Sequence, residues 1–186
     1  MQVSNFTNQF LIAMPSLRDP NFSQTVTYIC AHNDDGAMGL VINRPSHCEL
    51  GETLEQMQMK PENETIEKLP VYQGGPVHTD RGFVLHEPGR EWDSSISVSD
   101  ALGVTTSRDI LLAIAESAGP QNFLIALGYA GWSAGQLEEE IKENVWLNVS
   151  ADSEIIFNTP SELRWSSATA LLGIDHHQIS TGFGHA

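Results

Sequence analysis

Apolar and polar positions change period along the chain, and each change marks an element. Residues 8–14 (Asn-Gln-Phe-Leu-Ile-Ala-Met) form a short apolar run that predicts a buried strand ending at Pro15. Arg18-Asp19-Pro20-Asn21 then supplies turn residues with a proline-fixed φ. Residues 24–32 alternate, with Val26, Tyr28 and Cys30 on one face and Thr25, Thr27 and Ile29 on the other. Asn33-Asp34-Asp35-Gly36 is a hairpin signal, and 37–43 return as a third strand. A short helix is predicted over 50–59, followed by a polar loop, 60–68, that lacks apolar periodicity.

Strands are predicted again at 71–73, 82–86 and 96–98, joined by Gly-Gly-Pro and Glu-Pro-Gly turns. The period then becomes helical. Thr106-Ser107-Arg108-Asp109 has N-terminal spacing, Ile110, Leu111, Ile114 and Ala115 form one stripe, and Gly119-Pro120 stops it. Residues 123–130 read as a buried strand. Ser133-Ala134-Gly135-Gln136 has capping-box spacing and opens a helix to about Asn144; Thr159-Pro160-Ser161-Glu162 opens another that stops near Gly173. Antiparallel strands early and helices late predict an α+β fold, and the absence of repeats or a long linker predicts a single domain over 1–186.

Composition narrows the class of partner. The 186 residues hold 9 Lys+Arg against 24 Asp+Glu, a formal charge of −15, with 40% hydrophobic residues. Direct nucleic-acid binding through the phosphate backbone needs clustered cations, so this balance argues against it. The N-terminal residues have no basic region or long apolar run, and the apolar stretches are far below the ~20 residues needed to cross a bilayer. With only Cys30 and Cys48, the expectation is a cytoplasmic protein with reduced thiols and no membrane segment. No His pair has ligand spacing on a helix, so neither a metal nor another cofactor is expected.

Three constellations could carry chemistry. Gly131-Trp-Ser-Ala-Gly135 matches G-x-S-x-G between a predicted strand and a predicted helix, the context of a hydrolase nucleophile elbow at Ser133. Asp152 or Asp175, then His176, His177 or His185, would follow in hydrolase order; as a helix cap, Ser133 needs only Gln136. Cys30, His32 and Asp34 alternate along one strand and its turn, so a thiolate–imidazolium pair is sterically possible, although a core Cys and a strand-end His account for the same spacing.

The arginines are more suggestive. Arg18, Arg44 and Arg81 each lie in a Pro/Gly-rich loop, where a rigid scaffold can aim a guanidinium at a carboxylate or phosphate. Asn43 and His86 could add donors beside Asp19 and Asp80, giving a candidate site of Arg18, Asp19, Asn43, Arg44, Asp80, Arg81 and His86. The alternative is surface pairing with Asp19, Asp80 and Asp35 at about 0–1 kcal/mol each. Gly128-Tyr-Ala-Gly-Trp132 reads as close backbone approach with aromatic packing, and Gly-Phe-Gly at 182–184 as a terminal tail.

Taken together, the segments resemble the AlgH/YqgE family of bacterial proteins. The resemblance rests on Phe10-Leu-Ile-Ala-Met-Pro15, Asp19-Pro20, Gly36-Ala-Met-Gly-Leu-Val-Ile-Asn-Arg-Pro45, Gly74-Gly-Pro-Val77, Asp80-Arg-Gly-Phe-Val-Leu-His86, Gly128-Tyr-Ala-Gly-Trp132, Gly135-Gln-Leu-Glu138 and Gly184-His-Ala186. It implies an α+β fold whose antiparallel strands form a barrel-like core with helices packed around it. It implies no established activity; the family carries a transcriptional-regulator label from an association with alginate production. Ala31 stands where the family often has Glu, and Ser133 occupies a variable position, so both departures weigh against catalysis. The expected function is a binding or regulatory module that recognises a small anion or a protein partner through loop arginines. The alternatives are a Ser133 hydrolase or Cys30-based enzyme, and a regulator of transcription that does not contact DNA directly.

Overall fold

The computed structural model describes residues 5–173. Its centre is a curled sheet of ten strands: β1 (Gln9–Ala13), β2 (Val26–Asn33), β3 (Gly36–Val41), β4 (Pro45–Glu49), β5 (Pro70–Gln73), β6 (Val77–His86), β7 (Ser95–Ser97), β8 (Gly103–Thr105), β9 (Phe123–Ser133) and β10 (Trp146–Ser150). The main path runs β10-β1-β2-β3-β9-β6-β8-β7, with β4 and β5 branching from β9. Every ladder is antiparallel except β5–β9. Helices α1 (Leu50–Gln56), α2 (Glu64–Glu67), α3 (Arg108–Ala115), α4 (Gln136–Lys142), α5 (Ser153–Phe157) and α6 (Arg164–Ala170) pack around this half-barrel, giving the expected α+β architecture.

The strand period decides which helix covers which face. In β9, Leu124 and Ala126 point into a core with Phe10, Tyr28, Leu40, Phe83 and Leu85, closed by Ile155 and Ile156 of α5 and Ala168 of α6. The intervening Ile125 faces the other way, against Leu54 of α1 and Ile110 and Ile114 of α3. Further along the sheet, Leu11, Ile29, Trp132 and Trp146 are covered by Leu137 of α4. At these positions both faces of the sheet are therefore buried, each by a different helix set.

β9 is the hinge of this topology. Its first half pairs with β5 and β6, and its second half with β3, through Gly39↔Ala130 to Gly36↔Ser133. Between the two halves, Gly128 has φ +78°, and the Gly74-Gly75 turn crosses directly over it. A Cβ on Gly128 would lie 2.4 Å from the Gly75 carbonyl oxygen. The opposing β6 shifts register between Val77 and Gly82, which lets it start at Val77, ahead of the expected residue 82.

Several elements differ from the sequence expectation. β4, β8, β10, α2 and α5 are additional. β8 is only three residues long and α2 only four, too short for a period to register. The helix after β9 starts at Gln136 behind a left-handed Gly135, because β9 continues through Ser133. Pro160 leads into a 3-10 turn at Ser161–Leu163 before α6, and the expected capping box there is not formed: the Thr159 hydroxyl donates to the Glu154 carbonyl instead. Asp175, His176, His177, His185 and the Gly-Phe-Gly at 182–184 lie outside the described residues. Among the described residues no helix is long and apolar enough to cross a membrane.

Candidate functional site

The half-barrel leaves a cavity of about 810 Å³ on its concave side, between the β2–β3 hairpin and the β6-β8-β7 wall. Its apolar lining comes from alternating strand positions: Met38 of β3, Phe83 of β6, Val104 of β8, Tyr129 of β9 and the exposed Ile96 of β7. These residues share one face because each strand turns alternate side chains inward. Tyr129 meets Phe83 edge-on at 5.8 Å between centroids, which stiffens the floor. Charge enters the lining at two places, Asp35 in the hairpin turn and Arg81 on β6. The Arg81 guanidinium lies 5.7 Å from the Phe83 ring centroid and has no ion-pair partner among the described residues. An exposed cation over an aromatic floor can hold an anionic group whose apolar body fills the space below.

The seven residues singled out from the sequence fall into separate places. Asn43 and Arg44 come together with the 19–26 segment. The Arg44 guanidinium donates to the carbonyls of Pro20 at 2.6 Å and Ser23 at 2.8 Å; Asn43 accepts from the Val26 amide and donates to the Gln24 carbonyl, both at 2.9 Å. Burial pushes the Arg44 guanidinium below its ordinary pKa, and the Asp19 carboxylate counteracts this. Asp19 itself accepts from the Asn21 amide, an Asx turn that shapes the loop. Arg18 is exposed on that loop. These contacts give Asn43 and Arg44 a local task, holding the β1–β2 connection against the end of β3.

His86 is buried, with both ring nitrogens engaged: Nδ1 with the Glu87 carbonyl at 2.8 Å and Nε2 with the Thr105 hydroxyl at 2.7 Å. A carbonyl only accepts, so Nδ1 carries the proton, and with a neutral ring Nε2 accepts from Thr105. Thr105 in turn lies 2.6 Å from the Ser95 hydroxyl, so this chain ties β6, β8 and β7 together. Asp80 lines a smaller cavity of about 350 Å³ beside α3. Of the seven residues, Arg81 alone lines the large cavity.

The two catalytic alternatives meet specific geometry. Cys30 is buried in the core, its Sγ–H donating to the Tyr28 carbonyl at 3.8 Å, and burial pushes the thiol pKa up to about 12. The β2–β3 ladder shifts register between Ile29 and Ala31, and His32 engages other partners. His32 Nδ1 accepts from the Phe6 amide at 3.0 Å, so its Nε2–H donates to the Glu138 carboxylate on α4. The sterically possible thiolate–imidazolium pair is not formed: Cys30 is a neutral core thiol, the alternative reading of the spacing, and His32 fastens α4 and the Phe6 segment to β2. With so little thiolate at neutral pH, iodoacetamide is expected to alkylate the exposed Cys48 and leave Cys30 unmodified until the protein unfolds. Rapid labelling of Cys30 in the folded protein, read by peptide mass spectrometry, would contradict this assignment.

Ser133 ends β9 in solvent. Its amide and its hydroxyl both donate to Gln136 Oε1, at 3.0 and 3.2 Å, while Gly135 takes the N-cap position of α4. Half of the expected capping box therefore forms, the reach-back from Gln136. Asp152, the described member of the proposed triad, accepts from the Glu154 amide as the N-cap of α5. Among the described residues no three His, Cys, Asp or Glu side chains gather as a metal ion would require.

The cavity lining was only partly visible from sequence. Phe83 and Tyr129 sit inside glycine-rich blocks and signal packing, while Ile96 and Val104 lie in strands too short to show a face.

Comparison with known proteins gives a consistent result. A family model described as AlgH-like matches residues 10–177. A UPF0301 protein of Thioalkalivibrio sulfidiphilus is 57% identical over 183 residues, covering 98% of each chain. Another, of Nitrosococcus oceani, is 50% identical over 181 residues and 97% of each chain. Among solved structures, the solution structure of the AlgH protein from Pseudomonas aeruginosa matches at a TM-score of 0.81 with 49% identity over 100% of both chains. A Corynebacterium diphtheriae protein shares the fold at 17% identity, with a TM-score of 0.75 over 97% of this chain and 94% of that one.

Proposed function

Because the chain belongs to the AlgH-like family, whose description specifies no chemistry, we propose from the cavity itself that it is a binding module for an amphipathic anion. The observation that carries this reading is the combination of a large, mostly apolar concavity with one unpaired guanidinium, Arg81, in its lining. The anionic group would take the two guanidinium N–H edges in a bidentate contact, and the apolar body would lie on Met38, Phe83, Val104 and Tyr129. Binding is favoured over catalysis because Cys30 is a neutral core thiol and the Ser133 hydroxyl is committed to Gln136. If the module acts on transcription, the −15 charge favours action through a protein over contact with DNA.

A matched series tests this: decanoate, decyl phosphate, decanol and inorganic phosphate, each titrated by calorimetry and thermal shift. The two amphipathic anions are expected to bind, with decanol and phosphate much weaker. At about 100 times Kd, a ligand stabilises by roughly 2.7 kcal/mol, about 5–10 °C for a domain of this length. Arg81→Gln should weaken anion binding at least tenfold and leave decanol unchanged. Equal binding by Arg81→Gln, or no binding by either anion, would overturn the reading.

A further inference from the structure

Among the described residues the sheet ends at β7, which there pairs with β8 alone. Two bonds set the phase of that ladder: the Thr106 amide donates to the Ser94 carbonyl and the Val98 amide to the Leu102 carbonyl, both at 3.0 Å. In an antiparallel ladder, hydrogen-bonded pairs alternate with non-bonded ones. Ile96↔Val104 therefore has its backbone groups turned toward β8, whereas those of Ser95 and Ser97 point outward. Among the described residues nothing bonds to these outward amides and carbonyls, and Ser95, Ile96 and Ser97 are all exposed, Ile96 at 57%. Four backbone groups thus form a free template beside the cavity rim.

The other sheet margins are blunted. β4 starts with Pro45 and pairs irregularly with β5, two devices that discourage strand addition. β10 is half-buried along most of its length, with the Trp146 side chain under α4. β7 has no proline, no bulge and no charge within it.

Charge selects the occupant. Asp93 and Asp100 bracket the 94–98 ladder and Asp35 lies across the cavity; all three are exposed and lack an ion-pair partner among the described residues. A second copy of this chain would bring the same carboxylates against them, on a protein already at −15. We propose that the outer edge of β7 docks an extended, basic segment of a partner protein, which adds antiparallel to Ser95–Ser97 as a further strand. Main-chain bonds to Ser95 and Ser97 supply the register, and alternate Lys or Arg side chains reach Asp93 and Asp100. This edge borders the ligand cavity, whose lining includes Ser95 and Ile96, but its outward backbone groups do not depend on Arg81.

A capped peptide of alternating lysine and valine is the probe, with its glutamate–valine counterpart as control, at physiological ionic strength. Amide hydrogen exchange by NMR should slow at Ser95 and Ser97 when the basic peptide is added. The Ile96 amide, already paired to β8, should not change. Ser97→Pro removes an outward N–H and no ladder bond, leaves net charge untouched, and should weaken binding at least tenfold. Asp93→Asn with Asp100→Asn should also weaken it while the thermal melt stays near wild type. Protection absent at Ser95 and Ser97, equal binding of the acidic peptide, or unchanged affinity in a folded Ser97→Pro protein would each overturn the proposal. So would concentration-dependent dimerisation lost in Ser97→Pro, which would assign the edge to a second copy.

Discussion

Replacing Gly128 with alanine is expected to be strongly destabilising for a single added methyl, costing about 3–5 kcal/mol. Two effects combine. The residue sits at φ +78°, where an L side chain is strained by roughly 1–2 kcal/mol. The new Cβ would also stand 2.4 Å from the Gly75 carbonyl oxygen and 3.2 Å from that of Val77, both backbone atoms that cannot rotate away. Relief would require moving the Gly74-Gly75 turn, which itself has no room: a Cβ on Gly75 would fall 2.1 Å from the Tyr129 carbonyl carbon. Since β9 changes partners at this crossing, displacement would loosen its ladders with β3, β5 and β6 together. Urea unfolding of Gly128→Ala should show a large drop in midpoint, with melting lowered by about 10 °C or more for a chain of this size. A loss below about 1 kcal/mol would mean that the crossing is not tightly packed.

The second large effect is expected at Arg164, the first residue of α6. Its side chain is 5% exposed, and no carboxylate pairs with it among the described residues. Its charge is instead met by dipoles. Nη1 donates to the Ile42 carbonyl and Nε to the Thr159 carbonyl at 2.9 Å, while the guanidinium lies 5.1 Å from the Tyr72 ring centroid. These contacts fasten α6 to the exit of β3 and the face of β5. Arg164→Met keeps much of the packing but strands two acceptors, so the expected loss is about 3 kcal/mol. Arg164→Lys should recover part of it, because an ammonium can reach one carbonyl but cannot span both. If Arg164→Met melts with wild-type protein, the buried guanidinium is not a structural tie.

How far the fold and the site could be read in advance depended on where the information lay. β1, β2, β3, α1 and α3 were legible because their apolar periods are local and their boundaries carry Pro, Gly or hairpin residues. The Asn33-Asp34-Asp35-Gly36 turn and the terminal Gly119-Pro120 are examples in which a few residues dictate the backbone. β10 was not legible in this way. Its five residues become a strand by pairing with β1, from Gln9↔Ser150 to Ala13↔Trp146, which brings together opposite ends of the chain. β8 likewise exists because it fills the space between β6 and β7.

The same division holds for the candidate chemistry. Residue type alone marked Arg44, Arg81, Cys30 and Ser133 as candidates, and the acidic balance alone argued against direct nucleic-acid contact. The family followed from blocks spread along the whole chain. What each group does was decided by neighbours distant in sequence. Arg44 meets the Pro20 and Ser23 carbonyls, His32 meets Glu138, and Arg81, expected in a loop, lies instead within strand β6, whose register carries it to the concave cavity. Local sequence determines periodicity, turns and charge because those depend on adjacent residues. Burial, hydrogen-bond partners and a free strand edge depend on what the sheet brings alongside, and only the folded arrangement decides them.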